Sequence, residues 1–511
     1  MRQSDADTIE KLGENGGKIL IGRAAKAIFS AHDNYKRCAI VCADGNNGSD
    51  GLALALIIKE HGGEPTIIKT SEKCTPDGQY FLNLVKESNI PVIVGEFVSL
   101  KGYDTVVDCL FGTGFKGAPR GFAKDLIEEI NQSGAFVISA DINSGLNAEN
   151  GTFSVCVKSD LTVSIGYLKP GHFLGDAKDV IGRLVNYDIG IEITENESES
   201  KMFLVSDQDF SDILRKRKNN SHKGTYGYVC IMGGCTQFSG AVKLANLASA
   251  AMRSGAGVVK LAVEGSLASS VSPYLLESTL CPMSGEGGKM AFDLPSLENA
   301  LAGVCSVSVG MGWGDGVDYP KILEYLMSKE DLRLIIDADG INTLAKVGAD
   351  VLKQAKAKIA ITPHPKEFSR ISGLSMQEIM ADPIKCAEDF AKEYGVVVLL
   401  KGASTVITDG ATTLIESGGC AGMATAGSGD VLSGVLCALH GYNEVSVKSV
   451  ACGAHICAKA GELAKSEFGD TAMIASDTAK NIGLAVKVIS ERGISPTAVV
   501  DKGSALDPAS L

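Results

Sequence analysis

The 511-residue chain predicts an α/β protein of two domains, on three observations. From residue 38 onward, short β-branched runs alternate with stretches of helical spacing, the pattern of parallel sheets covered by helices on both faces. The chain is too long for a single core. Polar, glycine-rich segments recur where the strands finish, which is where open α/β sheets collect ligands.

The first domain is read from Cys38 to about Val185. Strands are expected at Cys38–Ala43, Thr66–Lys69, Val92–Val94, Thr105–Leu110, Ala135–Ala140 and Leu161–Ile165, with helices over Leu52–Glu60, Tyr80–Glu87 and Phe122–Asn131. Three strand ends carry candidate site residues. Asn46-Asn47-Gly48-Ser49-Asp50-Gly51 stands where a dinucleotide fingerprint would, yet offers side-chain amides and a carboxylate instead of G-x-G-x-x-G. Asp108 ends a strand and precedes the flexible loop Gly112-Thr113-Gly114-Phe115-Lys116-Gly117-Ala118, whose lysine suits phosphate oxygens. Asp141-Ile-Asn-Ser144-Gly145 places a carboxylate directly after an apolar strand. Each segment alone is more often a turn than a site, but three at equivalent strand ends point to one crevice. Asn47, Asp108 and Ser144 supply only oxygen, which suits a loosely held hard cation whose identity the sequence leaves open.

The alternation lapses between about Ile189 and Asn220. There Glu192-Ile-Thr-Glu-Asn-Glu-Ser-Glu-Ser-Lys201 is acidic and aperiodic, so the domains are divided as 1–200 and 201–511. In the second, strands are expected at Gly227–Met232, Val304–Gly310, Leu334–Asp337, Lys358–Thr362 and Val396–Leu400, followed by the hairpin-like pair Thr405–Thr408 and Thr412–Glu416. A helix is expected over Val242–Gly255. The strand ends carry Gly310-Met-Gly312-Trp-Gly314, Asp337-Ala-Asp339, Thr362-Pro-His364-Pro-Lys366-Glu367 and Lys401-Gly402-Ala403-Ser404-Thr405.

The richest stretch is Gly422-Met-Ala-Thr-Ala-Gly-Ser-Gly429-Asp430, whose glycines stop at an aspartate where the apolar run Val431, Leu432, Val435, Leu436, Leu439 begins. That is a loop feeding a helix N-terminus, where backbone N–H groups and the helix dipole meet an anion with the Asp430 carboxylate beside it. His364 projects from a loop stiffened by prolines on both sides, although a surface histidine fits as well. Asp337 and Asp339 read as ligands or as helix caps. Lys401, following an apolar strand, calls for a phosphate or carboxylate partner.

A net charge of −13 argues against a nucleic-acid or anionic-membrane surface. The basic run Arg215-Lys-Arg-Lys218 reads as a solvated linker. No stretch is apolar enough to span a bilayer, and the acidic start Met1-Arg-Gln-Ser-Asp-Ala-Asp is unlike a signal peptide, so a cytoplasmic location is expected. The 14 cysteines form no C-x-x-C pair and lie mostly in apolar runs, as reduced core residues do. The seven histidines are dispersed, which speaks against zinc.

Taken together, these motifs resemble the bifunctional NAD(P)H-hydrate repair enzymes, an epimerase domain fused to an ADP- or ATP-dependent dehydratase. The resemblance rests on the loops at 46–51 and 111–115, Asp141-Ile-Asn-Ser-Gly145 and Lys169-Pro-Gly-His172 in the first domain. In the second it rests on His222-Lys-Gly, Gly233-Gly, Gly310–Gly314, Asp337-Ala-Asp, Thr362–Pro365, Lys401-Gly-Ala and Gly422–Asp430. It covers all but about the last twenty residues. It implies a Rossmann-like three-layer αβα domain followed by a ribokinase-like α/β domain. The first would interconvert the R and S forms of hydrated NADH and NADPH, and the second would dehydrate the S form at the expense of ADP or ATP.

By the same resemblance, Asn46–Asp50 and Gly112–Ala118 would hold the hydrated dinucleotide, Asn47, Asp108 and Ser144 would bind potassium, and Asp141 would do acid–base work on the ring. Ala241, Gly312, His364 and Asp430 would line the dehydratase's hydrate site, Lys401–Thr405 and Gly429 would hold the nucleotide with Mg2+, and Asp430 would activate the ring hydroxyl. A homo-oligomer is implied as well, and the fused arrangement leans to ADP. Ser49, Asn143 and Lys366 stand where the family commonly has glycine, proline and glycine. Two other readings compete: a ribokinase-like small-molecule kinase, and a first domain that only binds.

Overall fold

The computed structural model describes residues 2–193, 202–214, 216–250 and 253–492. Most of the acidic connection (194–201), Arg215 of the basic run, and the tail from 493 to 511 lie outside these residues. Two compact units divide between residues 200 and 201.

The first unit is a seven-stranded sheet of β1 (Arg37–Cys42), β2 (Glu64–Lys69), β3 (Val92–Val94), β4 (Thr105–Cys109), β5 (Phe136–Ala140), β6 (Leu161–Ile165) and β7 (Arg183–Tyr187), in the order β3-β2-β1-β4-β5-β6-β7. Every pairing is parallel. Successive residues of a strand face opposite layers: Ile40 and Ile67 join one core with the helices Gly16–Ser30 and Asn46–Glu60, whereas Val41 and Ile68 join the other with the helix Gly121–Gln132. This is a three-layer αβα arrangement. Strand β7, an edge strand, was not anticipated, because none of its residues is buried and it lacks the apolar run that marks the central strands.

One difference bears on the site. The helix after β1 starts at Asn46, not Leu52, so the polar segment is its first turns rather than a loop. The glycines permit this: a Cβ on Gly48 would lie 2.0 Å from the carbonyl oxygen of Ala43, and one on Gly51 would lie 2.7 Å from Cys42 Sγ. The helix thus begins hard against the end of β1, at the point where strand order reverses between β1 and β4.

The second unit is built on ten strands: β8 (Met202–Leu204), β9 (Tyr228–Met232), β10 (Val258–Glu264), β11 (Thr279–Met283), β14 (Val304–Val309), β15 (Arg333–Ile336), β16 (Lys358–Ile361), β17 (Val397–Leu400), β18 (Thr405–Thr408) and β19 (Thr413–Glu416). Their order is β11-β10-β9-β14-β15-β16-β17-β18-β19-β8, with β12 (Gly285–Glu286) and β13 (Lys289–Met290) forming a separate two-stranded ribbon. Pairings are parallel except β18–β19, the expected hairpin, and β17–β18, which was not anticipated as antiparallel. Strand β8, from the stretch read as a connection, pairs in parallel with β19, and Phe210 just after it is fully buried. The helices Ser428–Leu439 and Val447–Ala472 pack on one face. Among the described residues, no helix is long and apolar enough to cross a membrane.

Candidate functional sites

In the first unit the three strand ends converge on Gly112, where a Cβ would stand 3.5 Å from Asn47 and 3.7 Å from Asp141 Oδ2. Asp108, fully buried at the end of β4, accepts four hydrogen bonds. Its Oδ1 takes Ser144 Oγ at 2.5 Å and Leu110 N at 3.2 Å, and its Oδ2 takes Ser144 N at 2.8 Å and Ser139 Oγ at 3.0 Å. Burial nonetheless raises its carboxyl above the usual range, opposed by these donors. Asn47 donates to Phe111 O at 3.0 Å, whereas its own Oδ1 is buried with no hydrogen-bond partner among the described residues. That orphaned acceptor, among other oxygen atoms, fits a hard cation.

Asp141 sits at a backbone φ of +65°, a conformation that costs a non-glycine residue free energy and is held only by its surroundings. Lys169 Nζ pairs with its Oδ1, Ile165 N donates to the same oxygen at 3.2 Å, and His172 Nε2 lies 3.0 Å from its main-chain oxygen. Asp50, on the helix after β1, faces the same charge: burial, then Asp141, pushes its carboxyl well above the ordinary range. Lys116, expected to meet phosphate, pairs at 3.1 Å with Glu149, and both are exposed. Two of the unusual residues have local partners. Asn143 donates to Val157 O, Ser159 Oγ and Val180 O, stitching the loop as a proline would stiffen it, and Ser49 Oγ meets Thr75 Oγ1 at 3.0 Å.

In the second unit the helix begins at Ser428, capped by Gly427 at φ +98°, so Gly429 and Asp430 lie in its first turn. A Cβ on Gly429 would stand 3.4 Å from Lys401 Nζ and 3.6 Å from Asp337 Oδ2. Lys401 Nζ is 2.9 Å from Asp337 Oδ1 and 3.9 Å from Glu367 Oε2. The partner expected for this lysine is therefore a carboxylate, Asp337, which also accepts Ser433 Oγ at 2.8 Å. Burial works against the Lys401 charge, but Asp337 and Glu367 outweigh it and raise its pKa. Asp430 moves the other way from an ordinary carboxylate, to about 7, through burial and the Asp337 charge, with Lys401 opposing.

His364 caps the helix Pro365–Ser372. Its Nδ1 accepts Lys366 N at 3.1 Å and Glu367 N at 3.3 Å, while Glu367 Oε2 accepts His364 N at 2.9 Å. Asp339 is neither a bare ligand nor a cap, since its oxygens accept Gly314 N at 2.7 Å and Asn342 Nδ2 at 3.2 Å. Gly312, at φ +62°, lies against Ala241, where a Cβ would come within 2.9 Å of the alanine's own. Beside it opens a cavity of about 960 Å3 lined by Thr236, Gln237, Phe238, Gly314, Asp339 and Arg370, among others. Of Lys401–Thr405, Ser404 Oγ is buried with no hydrogen-bond partner among the described residues, as is Ser428 Oγ beside Gly429.

A curated relative from Moorella thermoacetica, a bifunctional NAD(P)H-hydrate repair enzyme, is 33% identical over 91% of this chain and 90% of its own. The chain belongs to that family. The counterpart of Escherichia coli is 32% identical over 93% of this chain and 91% of its own. Within this chain, the family model described as YjeF-related protein N-terminus matches residues 9–171, and the one described as NAD(P)H-hydrate dehydratase matches 229–483. A crystal structure of a Streptococcus mutans protein of undescribed activity shares the fold over 56% of this chain and 99% of its own, with a TM-score of 0.50 and 24% identity. Sequence reasoning did not single out Lys169, Ser433 or Glu367 as site residues. Lys169 was legible in the Lys-Pro-Gly-His motif and Glu367 closes the named strand-end segment Thr362–Glu367, but Ser433 sits in helical sequence and is found only through what it touches.

Proposed function

We infer that this protein repairs hydrated NADH and NADPH: it is an NAD(P)H-hydrate epimerase and an ADP- or ATP-dependent NAD(P)H-hydrate dehydratase. Likeness to the repair enzymes over nine-tenths of both chains carries the reading. The described geometry supports it with a carboxylate cluster at each sheet's ligand end.

In the dehydratase, Asp430 would take the proton of the ring hydroxyl as its oxygen attacks the terminal phosphoryl group of ADP, with AMP departing. A group titrating near 7 is suited to that exchange. The N–H groups at Ser428–Asp430 and the Lys401 ammonium would face the transferring phosphate. Phosphate then leaves the ring as the neighbouring carbon loses a proton, which restores the double bond. Water is a poor leaving group and phosphate a good one, so the nucleotide has a chemical purpose. Lys401–Thr405 and Gly429 would hold the nucleotide, while Ala241, Gly312 and His364 would line the hydrate site. Mg2+ would be held mainly through nucleotide phosphates, as this small, strongly hydrated ion usually is.

In the epimerase, Asn46–Asp50 and Gly112–Ala118 would hold the dinucleotide and Asp141 would act on the ring. Potassium would lie at Asn47 Oδ1, Asp108 and Ser144, supplying charge that steadies the loop ends. A homo-oligomer remains part of the proposal through the family. The test is recovery of the reduced ring's absorbance from mixed hydrate epimers with ADP, with ATP and without nucleotide. Full conversion of both epimers with a nucleotide is expected; accumulation of a stable phosphorylated product would select a kinase instead.

A further inference from the structure

The Lys169–Asp141 pair needs an explanation that the fold does not supply. The lysine side chain is 4% exposed and the aspartate 17%, and burying such a pair contributes little net stability. Lys169 Nζ also donates to Ile165 O at 3.0 Å and to Ser164 Oγ at 3.3 Å, so all three of its protons are placed. Its main-chain N–H meets His172 Nδ1 at 3.2 Å, and His172 Nε2 reaches the Asp141 carbonyl at 3.0 Å. His172 must then carry its proton on Nε2. Burial and the neighbouring lysine push it down to about 4, so it is a neutral strut. One four-residue segment thus grips both the carboxylate and the carbonyl of a residue in a left-handed conformation.

The grip is one-sided. Lys169 and Ile165 N occupy Oδ1, while Oδ2 lies 3.7 Å from the position a Gly112 side chain would fill, in the crevice with Asn47. The titratable groups on this side are Lys169 and the neutral His172 from the segment after β6 and Asp50, three residues on from Asn47 in the same helix and so on the face that Asn47 turns to the crevice. Asp108 is occupied by Ser139 and Ser144.

We propose that Lys169 is the positioning residue of the epimerisation, dividing two neighbouring carboxyls into a base, Asp141, and an acid, Asp50. The inference rests on the epimerase reading above. Hydration of the ring's enamine places the hydroxyl on the carbon bonded to the ring nitrogen. Asp50 gives its proton to that hydroxyl, the carbon–oxygen bond breaks, and the nitrogen lone pair forms the C=N bond as water departs. Water then adds to the opposite face, its oxygen bonding to carbon while Asp141 Oδ2 takes the proton. The pair electrons return to nitrogen. Atoms balance, no oxidant is needed, and the carboxyls have exchanged one proton, which solvent returns.

Exchange between the R and S hydrates of NADH, followed by chromatography, tests this in the full-length protein. Lys169→Met is expected to lower kcat by about 100-fold with little change in KM, as loss of a group that only orients the base does. Lys169→Arg, which keeps the charge, should recover much of the rate, and Asp50→Asn should lose it even if Lys169→Met folds poorly. Nucleotide-dependent dehydration of the S hydrate by the same variants reports whether the second unit is intact. Wild-type kcat in Lys169→Met, or full activity in Asp50→Asn, overturns the proposal. Absence of exchange in the wild-type protein would instead overturn the epimerase reading itself.

Discussion

Replacing Asp430 by asparagine separates its chemistry from its contribution to stability. Asparagine keeps the shape of the side chain but cannot take a proton, so nucleotide-dependent dehydration should fall by about 10²–10⁴-fold, while epimer exchange in the first unit is unchanged. In the wild-type protein, rate should fall below pH 7 as the carboxylate is protonated, reaching about 100-fold at two pH units below. Stability should move the other way. The folded state holds the Asp430 proton up to about pH 7, whereas the unfolded chain releases it near the ordinary 3.8. Between those values the folded state binds more protons, so stability falls as pH rises, and above 7 the whole cost is present. That cost has a ceiling of about 4 kcal/mol. Solvent reaches the half-buried side chain, so relief of about 1–2 kcal/mol is expected in Asp430→Asn at pH 8, absent at pH 3. Paired denaturant titrations at the two pH values measure it. Retained dehydration, or equal destabilisation at both pH values, would refute the assignment of Asp430 as a strained base.

Ser144→Ala removes the hydroxyl donor to Asp108 and the acceptor of Phe111 N; it should cost about 1.5–3 kcal/mol and abolish any stimulation of epimer exchange by potassium over sodium. Gly312→Ala places a methyl group 2.6 Å from Phe238 O at a positive φ, so dehydration should fall by at least about tenfold with exchange intact, as steady-state rates of the two reactions would show. Lys69 is 1% exposed and its ammonium meets no hydrogen-bond partner among the described residues; Lys69→Met should therefore raise stability, by about 1–3 kcal/mol in urea unfolding.

Strands with apolar runs, such as β1, β4 and β5, were legible because burial on both faces leaves few alternatives for such a sequence. Strands β7 and β8 were not, since edge positions tolerate polar residues and their pairing is decided by partners far away in the chain. Strand β10 (Val-Val-Lys-Leu-Ala-Val-Glu) escaped notice although its apolar run is readable. The helix start at Asn46 was hidden for a different reason: Asn, Gly and Ser favour turns locally, and only contact with Ala43 and Cys42 makes a helix of them. At the sites, residues that end strands could be named from sequence. Which lysine meets which carboxylate could not, since Lys401 and Asp337 are 64 residues apart.

These pairings also explain why a chain of net charge −13 can be built to handle phosphorylated ligands. In each unit one largely buried lysine is committed to one carboxylate, Lys169 to Asp141 and Lys401 to Asp337. In each, a second carboxyl, Asp50 or Asp430, lies near enough to that aspartate for its charge and their common burial to raise the second group's pKa. The lysine does not make the site basic; it is committed to one aspartate of the two. A second carboxyl beside it suits epimerisation at a ring hydroxyl, where a proton must be both given and taken within one site. Swapping Lys169 for a neutral residue should therefore do more than subtract a positive charge: it should release Asp141 from the geometry that turns Oδ2 to the crevice.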